Sequence, residues 1–448
     1  MENQIPEHAE PPGCTRYKVG LWLCGLSGVL YLDRICMAQA LVPIQKDLGL
    51  NNSMMAMVGV AFTVAYGLFE IPAGRWGDRF GSRFVLVRIV MWWSLFTILT
   101  GVCSGFYSLL FVRFMFGAGE AGAFPNAARV IGRWFPQGER GRAQGFMLAA
   151  AQAGGVVAPA ATAWLIELMG WRASFMLFGL VGVAWAFGFW RWFRDDPAGH
   201  PGVGKGELEL IRSGVTTSVD LPKGESIQWA YVMVNRGILT LCMLMICGAF
   251  FTYLVYVWFP KYLQDARGLD NVSAGYWTSL VILGSAVGMV AGGWLGDYFS
   301  NSGADLVNGC RKLGAGCYLV AALSITFGTF SDNNFLFCLL WALAFFAFHV
   351  TLPNWWLLAM RQGGKHVGSL SGLMNGVGCF GAILSQLFVG WFTDARKAAG
   401  FQGRDQWDPM FFIYAGVLVF GALVWWSHRF TPLAERGGQA GPRSPSNE

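Results

Sequence analysis

Stretches of about 20 mostly apolar residues recur along the whole chain, and a helix of that length crosses a bilayer core. Twelve such spans are expected, at residues 19–40, 53–73, 84–103, 106–127, 143–165, 173–194, 237–262, 273–296, 312–329, 334–360, 368–393 and 409–428. Charge agrees with this pattern. Only 13% of the 448 residues are charged, against about 25% in a soluble domain. A surface of this size cannot be covered for water, but lipid can cover it. The expected fold is therefore an all-α integral membrane protein with twelve transmembrane helices. The first span is not read as a signal peptide: it is too long, it contains Asp33 and Arg34, and no small-residue cleavage site follows.

The ten cysteines show no paired or metal-ligand spacing, and most lie inside spans as small packing residues. The net charge of +6 could indicate a nucleic-acid partner. Its basic residues, however, sit in short loops, where they act as topology signals. With the N-terminus in the cytoplasm, Lys and Arg in and beside the inward loops outnumber those outside by roughly three to one. Both termini are expected in the cytoplasm, and the membrane is expected to be the inner (plasma) membrane.

Residues 195–235 break the apolar pattern. They are rich in Gly, Pro and charge and read as a cytoplasmic linker, with a short helix around GELELIRSG. The linker divides a six-span half, residues 1–194, from a second six-span half, residues 236–428. Residues 429–448 form a cytoplasmic tail. The halves echo each other. GRWGDRFGSR (74–83) follows span two, and GGWLGDYFS (292–300) follows span eight; basic residues come after each, Arg79 and Arg83 in the first half and Arg311 and Lys312 in the second. Such a repeat points to two pseudo-symmetric bundles that rock about a site between them.

Four charges lie clearly inside spans: Asp33, Arg34, Arg113 and Glu120. Charges there are costly and face a cavity or the bundle interior. Span one runs outward and span four inward, so Asp33 and Arg113 each lie roughly 10 Å from the outer ends of their spans. Glu120 is two turns beyond Arg113, on nearly the same face and roughly 10 Å nearer the cytoplasm. An arginine fork suits a carboxylate. With both acids ionised the four charges sum to zero; with both protonated the site is +2 and attracts an anion. Proton and anion would then help each other bind. The competing reading is a structural ion-pair network.

The loop GRWGDRFGSR resembles the signature loop of the major facilitator superfamily. YLDRICMAQALVPIQKDLGL (31–50) and RFMFGAGEAGAFPNAARVIGRWFPQGERGRAQG (113–145) resemble its anion:cation symporter family, which includes bacterial sugar-acid transporters and sialin-like relatives. WFPKYL (258–263), LPNWW (352–356) and SGLMNGVG (371–378) extend the likeness into the second half. The resemblance implies that Asp33 and Glu120 carry protons. It implies that Arg113 controls Asp33 and that Arg34 binds the substrate carboxylate. Tyr66, Gln152 and Asn375 resemble positions that bond substrate hydroxyls, with an interhelical hydrogen bond as the alternative.

Asn354, Trp355, Tyr253 and Tyr256 could line the other side of the site or simply pack. His349 reads as a core residue. Asp78, Arg79, Arg83, Glu139 and Arg140 form an expected cytoplasmic gate, with Glu70 as a partner. GKGELEL lacks phosphate-loop spacing, and no nucleophile or metal constellation appears. The expectation is a proton-coupled symporter for a small organic anion: a sugar acid such as a hexonate, hexuronate or aldarate. It needs no cofactor beyond the coupling proton and acts as a monomer. The alternatives are an exchanger or uniporter for aromatic or dicarboxylic acids, with structural charges, and an anion receptor.

Overall fold

In hydrocarbon every backbone N–H and C=O must be bonded within the chain, so a spanning segment is a helix or part of a closed barrel. The computed structural model describes residues 13–213, 235–301, 305–363 and 367–429, and among these every regular element is helical. The twelve spans can all be followed. In the first half they are Thr15–Gln39, Asn52–Phe80, Ser82–Thr100, the pair Phe106–Glu120 and Ala123–Trp134, and two spans within Gln137–Trp192 that turn at Gly170. In the second half they are Arg236–Asp265, Asn271–Asn301, Leu306–Phe330, the pair Asn334–Val350 and Leu352–Gly363, Val367–Ala398 and Pro409–Ser427.

Three local features of the first half were not anticipated. A short helix, Leu41–Leu48, joins spans one and two. GRWGDRF, expected as loop, continues the helix of span two as far as Phe80 and stops at Gly81, whose φ is 81°. Span four is broken in two. The linker helix appears as expected, at Lys205–Ser213. Linker residues 214–234 and tail residues 430–448 lie outside the described residues.

The ends of the spans define a base, which carries the N-terminal Thr15, the linker and the C-terminal turn, and a far end opposite. The halves share packing devices. In the first, Gly154 of span five lies on the backbone of span one, where a Cβ would come within 2.9 Å of Gly28 Cα. In the second, Gly381 of span eleven lies on span seven, where a Cβ would come within 3.0 Å of Ile246 Cα. At the base, Arg83 Nε donates to Trp190 O at 3.1 Å and its guanidinium covers the Trp190 ring. Arg311 Nε donates to Trp426 O at 3.1 Å in the same way. Each arginine starts the third span of its half and satisfies a last-turn carbonyl of the sixth, where the helix dipole favours a cation.

A bulky residue at Gly154 should force the first half apart. Gly154→Leu is expected to cost about 1–3 kcal/mol by overpacking. Gly416→Leu, where no atom lies within 4 Å of the added Cβ, should be nearly silent. Thermal unfolding of the two variants in one detergent checks this.

The halves meet along span two with span eleven and along span five with span eight. At the far end Asp394 of span eleven accepts from the backbone N–H of Asn52 at 3.2 Å and of Ser53 at 2.7 Å, in the first turn of span two. Asn52 Nδ2 donates to Thr393 Oγ1 at 2.9 Å. Gln39 Nε2 donates to Asn271 O at 2.7 Å. Nearer the middle, Gln152 Nε2 meets Met289 Sδ at 3.0 Å and Asn375 Nδ2 donates to Glu70 at 2.8 Å. Beyond Gln152 toward the base, Leu148 and Phe146 of span five are exposed. The two halves are thus joined from their middle to the far end.

Candidate functional site

The break in span four begins with Pro125. Proline has no N–H for the carbonyl of Ala121, four residues back, and its ring crowds that turn. The chain answers with an extended Ala121 (φ −55°, ψ 138°) and a left-handed Gly122 (φ 86°), a conformation that glycine enters without strain. Asn126 Nδ2 then donates to Gly122 O at 2.8 Å and holds the new turn. Glu120 is left as the last residue of the upper piece. A carboxylate at a helix C-terminus is disfavoured by the dipole and needs a cation.

Arg34 supplies it. The Arg34 Nε–Glu120 Oε1 pair joins spans one and four, with Glu120 1% exposed and the Arg34 side chain 22% exposed. Arg34 also lies over the Tyr66 ring, 4.5 Å from its centroid. This differs from the expected pairing, in which Arg113 sat against Asp33. The Arg113 guanidinium covers Phe116 at 4.4 Å and Phe62 at 5.4 Å. Asp33, 1% exposed, has no hydrogen bond to either carboxylate oxygen among the described residues. A buried charge without hydrogen bonds is costly, so Asp33 is the least settled acid of the four-charge group. Its electrostatic neighbours are Glu120 and Arg113.

Arg34 and Arg113 line one cavity of about 190 Å³ between the halves. Tyr253, Tyr256 and Gln386 line it from the second half. Tyr256 lies in a π-helical stretch, Leu254–Trp258, just before Pro260. Pro260 gives no N–H to the Tyr256 carbonyl, and wide turns of this kind recur at functional sites.

Tyr66, Gln152 and Asn375 lie where the halves meet. Tyr66 stacks on Arg34, and the other two make the contacts to Met289 and Glu70. The Oε1 of Gln152 is buried with no partner among the described residues.

Asn354 and Trp355 do not line the cavity, contrary to expectation. Span ten breaks at Thr351, and the following turn points both residues into the second half. Asn354 Nδ2 donates to Val350 O at 3.0 Å, and Trp355 packs on Phe348 and Trp425. His349 is core, with Nδ1 2.7 Å from Phe345 O.

The gate residues spread over the base of the first half. Glu139 binds Arg16 Nε at 2.9 Å, and Arg140 Nε donates to Phe135 O at 3.0 Å. Arg83 holds Trp190, as described above. The side chains of Asp78 and Arg79 lie outside the described residues. Glu207 of the linker helix, fully buried, accepts from the backbone N–H of Arg16 at 3.0 Å and of Thr15 at 3.3 Å. It caps span one from the linker. Glu207→Ala removes both bonds and is expected to loosen the linker; faster proteolysis at the linker and an unchanged helical signal would register this.

Two polar cavity residues were not among those expected. Gln386 stands eleven residues after Asn375, about three turns on along the same face, and a polar residue in an apolar span was the available signal. Tyr31 opens the stretch YLDR and stood beside the charges already noted.

Residues 23–386 match the family profile described as Major Facilitator Superfamily. The chain belongs to the Major Facilitator Superfamily. It is a multi-pass membrane transporter and not an enzyme. Among curated relatives it is 30% identical to the probable galactarate/D-glucarate transporter GudP of Bacillus subtilis over 394 residues, covering 85% of this chain and 86% of that protein. It is 29% identical to the D-galactonate transporter of Escherichia coli O6:H1, covering 94% and 96%. It is also 29% identical to the probable sulfoacetate transporter SauU of Cupriavidus necator, covering 92% and 93%.

Its fold matches a bacterial homologue of the human lysosomal transporter Spinster, crystallised in an inward-facing, occupied conformation. That match has a TM-score of 0.75 and 20% identity, covering 93% of this chain and 97% of that one. The twelve-helix, two-bundle architecture read from the sequence is that of the superfamily.

Proposed function

We propose that this transporter is a proton-coupled symporter for a small organic anion, a sugar acid first among the candidates. It would work as a monomer by alternating access in the inner membrane, with its base and both termini in the cytoplasm. The observation that carries the reading is the Arg34–Glu120 pair at the wall of a cavity that Arg113 also lines. A proton on Glu120 frees Arg34 for a substrate carboxylate, and a carboxylate on Arg34 frees Glu120 for a proton. Each ligand removes the other's competitor, so their affinities rise together. Asp33 and Arg113 add a second acid and a second cation to the same balance.

The relatives named above carry, by their names, galactarate, D-glucarate, D-galactonate and sulfoacetate, all small anions. The tyrosine hydroxyls and Gln386 offer bonds to substrate hydroxyls. Arg83, Glu139 and Arg140 bond inside the first half. That arrangement fits a base-side gate in its released state, with Asp78 and Arg79 as its other members.

Uptake of labelled hexonates, hexuronates and aldarates into proteoliposomes, with and without an inward proton gradient, tests the proposal. Gradient-driven accumulation of one of them supports it. Equal uptake with and without the gradient would leave an exchanger or uniporter, with Arg34–Glu120 a structural tie. Arg34→Lys keeps the charge and loses the planar fork. It should raise KM by about tenfold or more, the worth of a charged hydrogen bond, and the same vesicles measure this.

A further inference from the structure

We propose that a groove on the lipid-facing side of spans one and six, at the base, binds an anionic phospholipid of the adjacent leaflet. The groove has a volume of about 430 Å³ and is lined by Lys18, Leu21, Trp22 and Gly25 of span one and by Trp185 and Trp192 of span six. It lies on the bilayer side, apart from the transport cavity, and does not depend on which anion is carried.

Its shape follows from helical spacing. Lys18, Trp22 and Gly25 recur at four and three residues and form one stripe on span one. Trp185 and Trp192 are two turns apart on span six. The groove therefore runs along the helix axes for about 10 Å. Its wall is rigid. Trp22 stacks on Trp192 with centroids 6.2 Å apart and meets Trp185 edge-on at 5.9 Å. Trp185 Nε1 donates to Trp22 O at 3.1 Å, so its indole offers only apolar surface to the groove. Gly25, exposed and without a side chain, keeps the deeper end open.

The mouth is of opposite character. Lys18 is exposed, three residues into the helix of span one, and makes no ion pair or hydrogen bond among the described residues. Lys18, Arg194 and the buried Glu207 all act on His200 of the linker, whose ring centroid lies 4.8 Å from that of Trp192. Basic residues at the end of a span attract anionic headgroups, and tryptophans hold the headgroup level. A cation at the interface above an apolar slot along the bilayer normal suits a phosphate followed by an acyl chain. A free anion would leave the slot empty, and a zwitterionic lipid brings its own cation to compete with Lys18 for the phosphate.

Native mass spectrometry of the full chain in detergent tests this, with phosphatidylglycerol and phosphatidylcholine of the same acyl chains. The wild type should retain the first phosphatidylglycerol about fivefold more tightly than phosphatidylcholine, the worth of one interfacial cation. Lys18→Ala should bring the two lipids to parity, and Gly25→Leu should weaken retention of both. A wild type without headgroup preference, or a Lys18→Ala protein that keeps it, overturns the proposal. Suppose that a variant carrying Glu2→Gln, Glu7→Gln and Glu10→Gln binds lipid where the wild type binds none. The groove then belongs to the chain's own N-terminal segment, and the proposal falls. Matched thermal midpoints guard against misfolding, and rescue of headgroup preference by Lys18→Arg would exclude a packing effect of the alanine.

Discussion

Glu120→Gln abolishes uphill accumulation of the substrate anion and leaves exchange across the membrane intact. The glutamine has the shape of a protonated glutamate and cannot release a proton. Arg34 is then permanently free for the substrate, so the loaded carrier still forms and still reorients. The glutamine releases no proton inside, and the unloaded carrier cannot remake the ion pair that neutralises Arg34, so the proton gradient no longer does work. One proton moving down one pH unit supplies about 1.4 kcal/mol, enough for about tenfold accumulation of a co-transported anion. That factor should fall to one in the variant, while labelled substrate still swaps with unlabelled substrate inside the vesicles. Loss of both processes would mean that the Arg34–Glu120 tie holds the fold. Retention of both would place proton coupling elsewhere, with Asp33 the next acid to replace.

Asp394→Ala opens the far end. Asp394 belongs to span eleven, yet it caps the first turn of span two through the N–H groups of Asn52 and Ser53. A carboxylate at a helix N-terminus is worth about 1–2 kcal/mol in partly buried geometry. Here that energy exists only while the halves touch. Its loss should move the balance between far-end-closed and far-end-open states by roughly 5–30-fold. Met55 lines the cavity on span two and is 2% exposed. A Met55→Cys thiol should therefore react faster with an impermeant maleimide added on the far side when Asp394 is absent. Asp394→Glu should restore much of the protection. An unchanged labelling rate would show that the mouth is held by packing alone.

Hydropathy made the spans legible, because a lipid-facing helix must be apolar along its whole length. It did not reveal the break at Ala121 and Gly122, since a broken helix and a whole one can be equally apolar. The signal lay in the proline four residues after Ala121. Axial arithmetic from the helical rise brought Asp33, Arg34, Arg113 and Glu120 to one region, and the structure gathers them there. It could not choose partners. Rise per residue fixes height and does not say which faces of two neighbouring helices meet, so it could not show that Arg34 rather than Arg113 would pair with an acid. The same limit explains Asn354 and Trp355, which stand beyond the interruption at Thr351 and are turned inward. Gln386 escaped notice although Asn375 had been noted on the same face. A lone polar residue in an apolar span is a weak signal, and the eleven-residue spacing from Asn375 is the stronger one.

Span one is stapled at two heights, to span four above and to the start of the span-five helix below. Arg34 holds Glu120 at the middle of the membrane, and Arg16 holds Glu139 at the base. The arginines are eighteen residues apart, about 27 Å along one straight helix. Between the staples stands the short strut Ala123–Trp134, joined at its top by the non-helical Ala121–Gly122 link. When the upper staple lets go, the lower one remains as a fulcrum. The strut can then swing without dragging Arg113 or the upper piece of span four. With Glu120 as the coupling acid proposed above, a proton arriving there would become a lever stroke delivered to the base, some five helical turns away.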